Sequence, residues 1–292
     1  MLGTATAVRG HLLVEEPGPW GEGGVPASRL GDELTGQLRA AAAARGVKLL
    51  LIRRPDAARR DPAQDRRVFL VDCRRGGAGV LTRRVAVADL AAAVVADDGW
   101  SRHADPLLLV CTHGRKDWCC AMRGRPVAAA LAELAPDEVW ECSHLGGDRF
   151  AASVLALPSG ILHGRVDPSD AGAVVTALRE DRVLVEKLRG RSCDPVLVQA
   201  ADVLVRRARG LDAVDALRPA RTEAVAGQAG TWRVEFRSGA GALVAVVREG
   251  RAPAQRLTCS AAVPNHARTW ELVSLDVAAA PATAVEPGPA QR

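Results

Sequence analysis

Thiol and imidazole side chains are concentrated in one part of this 292-residue chain. Four of the seven cysteines fall between residues 111 and 142, and three of the six histidines, at 113, 144 and 163, lie in or just beyond that stretch. The first residues lack the basic start and long apolar stretch of an export signal. Together with the odd number of cysteines, this argues against a disulfide framework. Clustered thiols and imidazoles instead indicate metal ligation or thiol chemistry.

The spacing inside this cluster predicts two loops that bring ligands together. Cys111 ends an apolar strand and Cys120 begins a helix, with the loop THGRKDWC between them. Backbone amides at such a strand-to-helix loop point outward and can donate to anionic sulfur. In the second loop, SHLGGDRF, His144 and Asp148 flank two glycines whose backbone freedom permits close approach. We therefore expect these four side chains to converge on one metal centre.

The elements that must position the two loops follow the same order twice. The first half reads as the strand HLLVEEP, a helix over residues 29–45, the strand VKLLLIRR, a hairpin of RRVFLVDC and GVLTRRV, and a helix. The second half repeats this with DPLLLVC, a helix from Asp117 to about Leu134, EVWECSH, a hairpin around residues 158–160, and AGAVVTALRE. We hypothesise an internal duplication that builds a mixed sheet with helices on its faces.

This order predicts an α/β protein of two thioredoxin-like units followed by a small antiparallel β segment. The predicted boundaries are 1–98 for a first unit without ligands, 99–212 for a ferredoxin-like unit, 213–278 for the β region and 279–292 for a Pro/Ala-rich disordered tail. Within the second unit, residues 183–210 read as a charged helical stretch that breaks at 193–195.

Several ordered motifs resemble the sucrase/ferredoxin-like family, from about residue 11 to 180. They are CTHGRKDWCCAMRG, VWECSHLGGDRF, LPSGILHGRV and the opening HLLVEEPGPWG. The resemblance implies a thioredoxin-like ferredoxin domain with a 2Fe-2S cluster held by two cysteines and a His-x-Gly-Gly-His motif. Those positions fall here on Cys111, Cys120, His144 and Asp148. Because Asp148 replaces a histidine, Cys119, Cys142 and His113 stay open as alternative fourth ligands.

Other residues of the same types have structural explanations. We interpret Cys73, Cys193 and Cys259 as small apolar core residues, and His113 and His163 as hydrogen-bonding partners of loop backbone. Trp118 and Trp140 are predicted to be core residues that flank the site.

The leading functional prediction is a one-electron carrier or redox sensor, with a redox partner protein and no substrate of its own. A thiol oxidoreductase of thioredoxin-like fold and a structural zinc protein are the alternatives, since both use clustered Cys and His. Sugar cleavage is not expected, because no acidic pair can be assigned to a common cleft.

Composition limits the partners and the compartment. The chain is 48% apolar and 25% charged, as in soluble globular proteins, and its longest apolar run is too short to span a membrane. Net charge is +5, but only three of the 39 basic residues are lysine and stacking aromatics are few, so we expect no nucleic acid and no membrane partner. We expect a cytoplasmic location.

Overall fold

A computed structural model describes residues 1–22, 28–55, 65–239, 241–258 and 261–278. The predicted tail over residues 279–292 and Cys259 lie outside the described residues.

The described chain folds into five α-helices and two sheets. The ten strands of the large sheet are β1 (Gly10–Glu15), β2 (Lys48–Arg53), β3 (Arg66–Asp72), β4 (Gly79–Val85), β5 (Ser101–His103), β6 (Leu107–Cys111), β7 (Val139–Cys142), β8 (Val154–Leu157), β9 (Ile161–His163) and β10 (Leu188–Arg191). The small sheet contains β11 (Arg218–Ala224), β12 (Thr231–Ser238), β13 (Gly241–Gln255) and β14 (Asn265–Ala278). The helices are α1 (Asp32–Ala44), α2 (Leu90–Val95), α3 (Trp118–Leu134), α4 (Ala171–Arg179) and α5 (Val196–Arg209).

The large sheet is mixed and continuous, in the order β10-β9-β8-β6-β7-β2-β1-β3-β4-β5. In the first half β1 pairs in parallel with β2 and antiparallel with β3, which pairs with β4. In the second half β6 pairs in parallel with β7 and antiparallel with β8, which pairs with β9. The antiparallel pair β2–β7 joins the two halves, and β5 pairs with β4. The predicted mixed α/β class is confirmed.

Alternating residues of the central strands enter two different core layers, as expected of a sheet buried on both faces. Leu108 and Val110 of β6 pack with apolar residues of α3 and α4, whereas Leu109 and Cys111 belong to a core on the opposite face. That second core also contains Leu13 of β1 and thus crosses both halves of the sheet. The C-terminal end of β6 therefore presents the Cys111 thiol to a buried layer.

The C-terminal part differs from the prediction at one place. Residues 188–191 form the strand β10, so the helical stretch expected over 183–210 is wrong there; a short 3₁₀ helix over Val185–Lys187 precedes the strand, and α5 follows it. The small antiparallel sheet is confirmed, and α5 packs against it through Val198, Ala201 and Val205. None of the five helices in the described ranges combines the length and apolar composition of a membrane span.

Candidate metal centre

The first ligand pair is created by the junction of β6 and α3. Cys111 is the last residue of β6, and α3 begins at Trp118, so Cys120 lies in its first turn. Gly124 fixes how closely the helix approaches, because a Cβ atom at this position would lie 2.2 Å from the Cys111 carbonyl oxygen. A glycine here thus allows α3 to lie directly on the end of β6, with Cys120 beside Cys111.

The third side chain comes from the loop after β7. This strand ends at Cys142, paired in parallel with Cys111, so the following residues emerge at the same edge of the sheet as Cys111. Gly146 and Gly147 adopt φ angles of +92° and +69°, a region that favours glycine, and they turn the loop back. His144 is thereby brought over the two cysteines.

Three of the four predicted ligands form one group. The Cys111 Sγ, the Cys120 Sγ and a His144 ring nitrogen all lie within 4.8 Å of one another. The Cys120 Sγ is 4.0 Å from His144 Nδ1. Both thiols are 2% exposed, while the imidazole side chain is 23% exposed. The site is therefore closed on the protein side and open to solvent at the histidine.

The pKa values of the two thiols are shifted in opposite directions. A hydrogen bond from Cys120 holds the pKa of Cys111 well below its usual value, helped by His144 and by the backbone N–H of Leu145, which donates to the sulfur. The same hydrogen bond, together with burial, raises the pKa of Cys120. Cys111 is thus the thiol that ionises more readily, and the thiolate is the form of cysteine that binds metals.

The fourth predicted residue, Asp148, does not join the three-ligand group. It begins a short 3₁₀ turn over Asp148–Phe150 directly after Gly147, and it is 3% exposed. Its backbone carbonyl lies 3.7 Å from the Cys119 Sγ. Asp148 is therefore buried beside the centre, next to the first turn of α3.

A second acidic residue at the centre was not among the predicted ligands. Asp117, the residue before α3, places its Oδ2 3.7 Å from His144 Nδ1 and is 4% exposed. Burial raises the pKa of this carboxyl group, and the nearby negative charge of Asp148 raises it further. Its position between the two cysteines of the loop was the available signal in the sequence.

The three alternative ligands occupy different surroundings. Cys119 is buried in the first turn of α3, and Cys142 lies opposite Cys111 in the sheet. Burial, and then the charge of Cys111, raises the pKa of Cys142 well above its usual value, which favours the neutral thiol.

The His113 Nε2 lies 2.8 Å from the Gly21 carbonyl oxygen, so the expected contact with loop backbone is confirmed. For His163 it is confirmed as well, because its Nε2 accepts from the Leu184 N–H at 3.2 Å.

Two cations next to the centre, the buried Arg189 and the half-buried Lys48, were not predicted. Arg189 of β10 is 1% exposed and donates to the Gly146 carbonyl at 3.0 Å, which holds the histidine loop in place. Lys48 of β2 donates to the His144 carbonyl at 3.4 Å, and burial lowers the pKa of its ammonium group. Both cations favour negative charge on the Cys111 sulfur.

The two tryptophans near the site have opposite environments. Trp140 is buried in the core that contains Cys111, as predicted. Trp118 is 65% exposed, so its assignment to the core is wrong. The helical period explains the difference, since Cys120, Gly124 and Val127 form the buried side of α3 and Trp118 lies outside it.

Comparison with known proteins identifies a family for the first two thirds of the chain. A family model described as sucrase/ferredoxin-like matches residues 1–190. The chain is also similar to the "Altered inheritance of mitochondria protein 32" of Meyerozyma guilliermondii, with 28% identity over 97 residues. That alignment covers 30% of this chain and 34% of the relative, so the chain matches about a third of the relative's length.

Proposed function

We propose, from the premise that the chain belongs to the sucrase/ferredoxin-like family, that it binds a 2Fe-2S cluster and acts in one-electron transfer or redox sensing. Cys111, Cys120 and His144 would hold the cluster, with Asp148 at the fourth corner. The convergence of two buried thiols and one imidazole within 4.8 Å is the observation that carries this proposal.

The donor set fits such a group. Thiolates are the usual ligands of iron–sulfur clusters, and histidine replaces cysteine on one iron in a known class of them. When bound, the cluster would supply reversible exchange of one electron. The chain's own residues supply a thiolate at Cys111, an N–H donor at Leu145 and positive charge at Lys48 and Arg189. Such outer groups orient ligands and adjust the reduction potential.

The fourth corner has two acidic candidates. Asp148 stands where the family resemblance expects a histidine, and Asp117 lies 3.7 Å from His144. A carboxylate is a harder, anionic ligand than imidazole, so it favours ferric iron. We assign Asp148 to the cluster because it stands at the family's histidine position, and Asp117 is the competing candidate, because it approaches the same ring nitrogen, His144 Nδ1, as Cys120 does.

We also propose the finer description of the fold, a duplicated thioredoxin-like unit. The parallel and antiparallel pairings of β1–β4 recur in the same order in β6–β9, which supports a duplication. Only the second unit carries the ligands, so the first has a structural role.

Iron and acid-labile sulfide analysis with EPR on anaerobically purified protein tests the cluster. The wild type should contain two irons and two sulfides per chain and absorb in the visible range. Cys111→Ala should lose both, while Cys73→Ala, a buried thiol outside the group, should retain them. Wild-type protein without sulfide refutes the proposal.

Matched acidic variants then identify the fourth ligand. Asp148→Asn should change the EPR spectrum or remove the cluster, and Asp117→Asn should leave the iron content unchanged. An unchanged spectrum for Asp148→Asn, with a change for Asp117→Asn, would reverse the two assignments.

Thiol chemistry is a second candidate, favoured by the hydrogen bond between Cys120 and Cys111. A thiolate stabilised by a neighbouring thiol is the arrangement of a disulfide oxidoreductase. Iron-free protein that reduces disulfides, and loses this activity in both Cys111→Ser and Cys120→Ser, would support it. Three converging ligands also suit zinc, and zinc bound without sulfide would indicate a structural site.

A further inference from the structure

We propose that the outer surface at the start of α3 docks an acidic protein that exchanges one electron with the metal centre. This surface, here called the α3 face, consists of Trp118, Met122, Arg115, Lys116, Arg123 and Arg125. The inference rests on the proposed function and adds the chemistry of the partner.

The apolar part of the α3 face is a tryptophan and a methionine one helical turn apart. Trp118 is 65% exposed and Met122 is 64% exposed, although both are large apolar side chains. Residues four apart lie on the same side of a helix, so the two form one patch. Tryptophan and methionine are enriched in protein interfaces, where a tryptophan often contributes much of the binding energy.

The charged part of the face has one sign. Arg115, Lys116, Arg123 and Arg125 are exposed, and none of the four forms an ion pair with a residue in the described ranges. The acidic residue in this segment, Asp117, is buried against His144. A rim of unpaired cations around an apolar centre is complementary to an acidic surface.

A recess beside His144 extends the same charge toward the metal centre. It has a volume of about 410 Å³ and is lined by Arg39, Lys48, Lys116 and His144, among other residues, and none of the lining residues is acidic. Lys48 donates to the His144 carbonyl at 3.4 Å. A carboxylate of a docked protein can therefore enter the recess and meet Lys48 next to the exposed edge of His144.

The location favours electron exchange rather than mere adhesion. Cys120 is two residues from Trp118 in the first turn of α3, and His144 is the ligand with the most exposed side chain. One electron would cross this contact, so that the donor is oxidised by one electron and the acceptor reduced by one, with no atom transferred. Two apolar side chains are too few to insert into a bilayer, so an acidic protein is a better occupant than an anionic membrane.

Stopped-flow reduction of the oxidised, cluster-loaded chain by reduced plant-type ferredoxin, an acidic one-electron donor, tests the proposal. The rate constant for wild type should fall as ionic strength rises, because opposite charges steer the encounter. Lys116→Glu/Arg123→Glu should lower it by about tenfold at low salt. Trp118→Ala should lower it at all salt concentrations.

Matched controls change residues on β4, β5 and α2, away from the α3 face. Arg84→Glu/Arg102→Glu reverses two exposed cations on β4 and β5, and Val95→Ala removes an apolar side chain that is 64% exposed. Both should keep the wild-type rate within about twofold, since they leave the α3 face intact.

The outcomes separate the two proposals. Iron and sulfide content are measured for every variant, and a wild type without cluster refutes the proposed function and this inference with it. Normal cluster content with unchanged rates in the α3-face variants refutes this inference alone. Binding to anionic lipid vesicles that depends on Trp118, with unchanged ferredoxin rates, would overturn the acidic-protein partner in favour of a membrane.

Discussion

Replacement of Arg189 by lysine should destabilise the metal centre from outside the ligand set. The guanidinium donates to the Gly146 carbonyl at 3.0 Å and the Ser153 hydroxyl at 2.9 Å. It also donates to the Thr4 carbonyl at 2.7 Å and the Thr4 hydroxyl at 3.0 Å. One buried side chain thus joins the histidine loop, the segment before β8 and the N-terminal segment.

The magnitude follows from these four hydrogen bonds. A lysine ammonium keeps the charge but is a single point, so it cannot reach acceptors on three separate segments as a planar guanidinium does. Hydrogen bonds from a charged donor contribute about 1.5–3 kcal/mol each. With two of the four lost, Arg189→Lys should lower the free energy of unfolding by about 3–6 kcal/mol.

Urea unfolding of metal-free protein measures this loss, and retention of iron against a chelator measures its effect on the centre. Arg191→Lys is the matched control on the same strand, because lysine can keep the ion pair that Arg191 forms with the half-exposed Asp215, so this change should cost less stability than Arg189→Lys. Equal stabilities and equal iron retention for the two variants would refute the role given to Arg189.

Two further substitutions test the packing of the site and the buried histidine of β1. Gly124→Ala should lower the free energy of unfolding by about 1–3 kcal/mol and weaken metal binding, because the new methyl group would meet the Cys111 carbonyl. Its control is Gly172→Ala in α4, where the space is open and the change should raise the free energy of unfolding by about 0.5–1 kcal/mol. Comparison of urea midpoints and zinc or iron affinities decides this, and equal effects of the two alanines would contradict it. Burial lowers the pKa of His11 from 6.5 to about 3, so between these pH values the unfolded chain binds a proton that the native state excludes, and stability falls as pH drops below 6.5. His11→Leu should therefore gain about 2 kcal/mol relative to wild type between pH 7.5 and pH 5, and a pH-independent difference would count against the buried neutral imidazole.

The sequence was informative about the site where local pattern determines geometry. An apolar strand, a short loop and an amphipathic helix bring Cys111 and Cys120 together by connectivity alone. The glycine pair after His144 indicates a tight turn, and the structure has it. Asp148 follows that turn directly, and the 3₁₀ conformation that begins there places its backbone carbonyl beside Cys119, so its role as the fourth ligand stays a prediction.

Buried charge explains where pattern reasoning failed. Residues 188–191 were predicted to be part of a charged helical stretch, yet Arg189 and Arg191 are both buried in β10, where they form hydrogen bonds and an ion pair. Lys48 begins an apolar strand and reaches His144, which is 96 residues away in the chain. Such contacts depend on how distant strands pair, and no local period encodes them. The prediction for Trp118 was wrong for the opposite reason, because its residue type suggested burial while its position on the helix exposes it.

The cations around the centre stabilise negative charge on the cysteine sulfur. Buried charge is costly unless it is compensated, and Lys48 and Arg189 both favour the ionised Cys111, while Asp117 and Asp148 add negative charge of their own. The hydrogen bond between Cys120 and Cys111 lowers the pKa of Cys111 and raises that of Cys120, which opposes the loss of the Cys120 proton. A bound metal ion supplies positive charge in place of that proton. Under the proposed function, a metal bound through both sulfurs displaces the Cys120 proton, so we expect metal affinity to rise with pH.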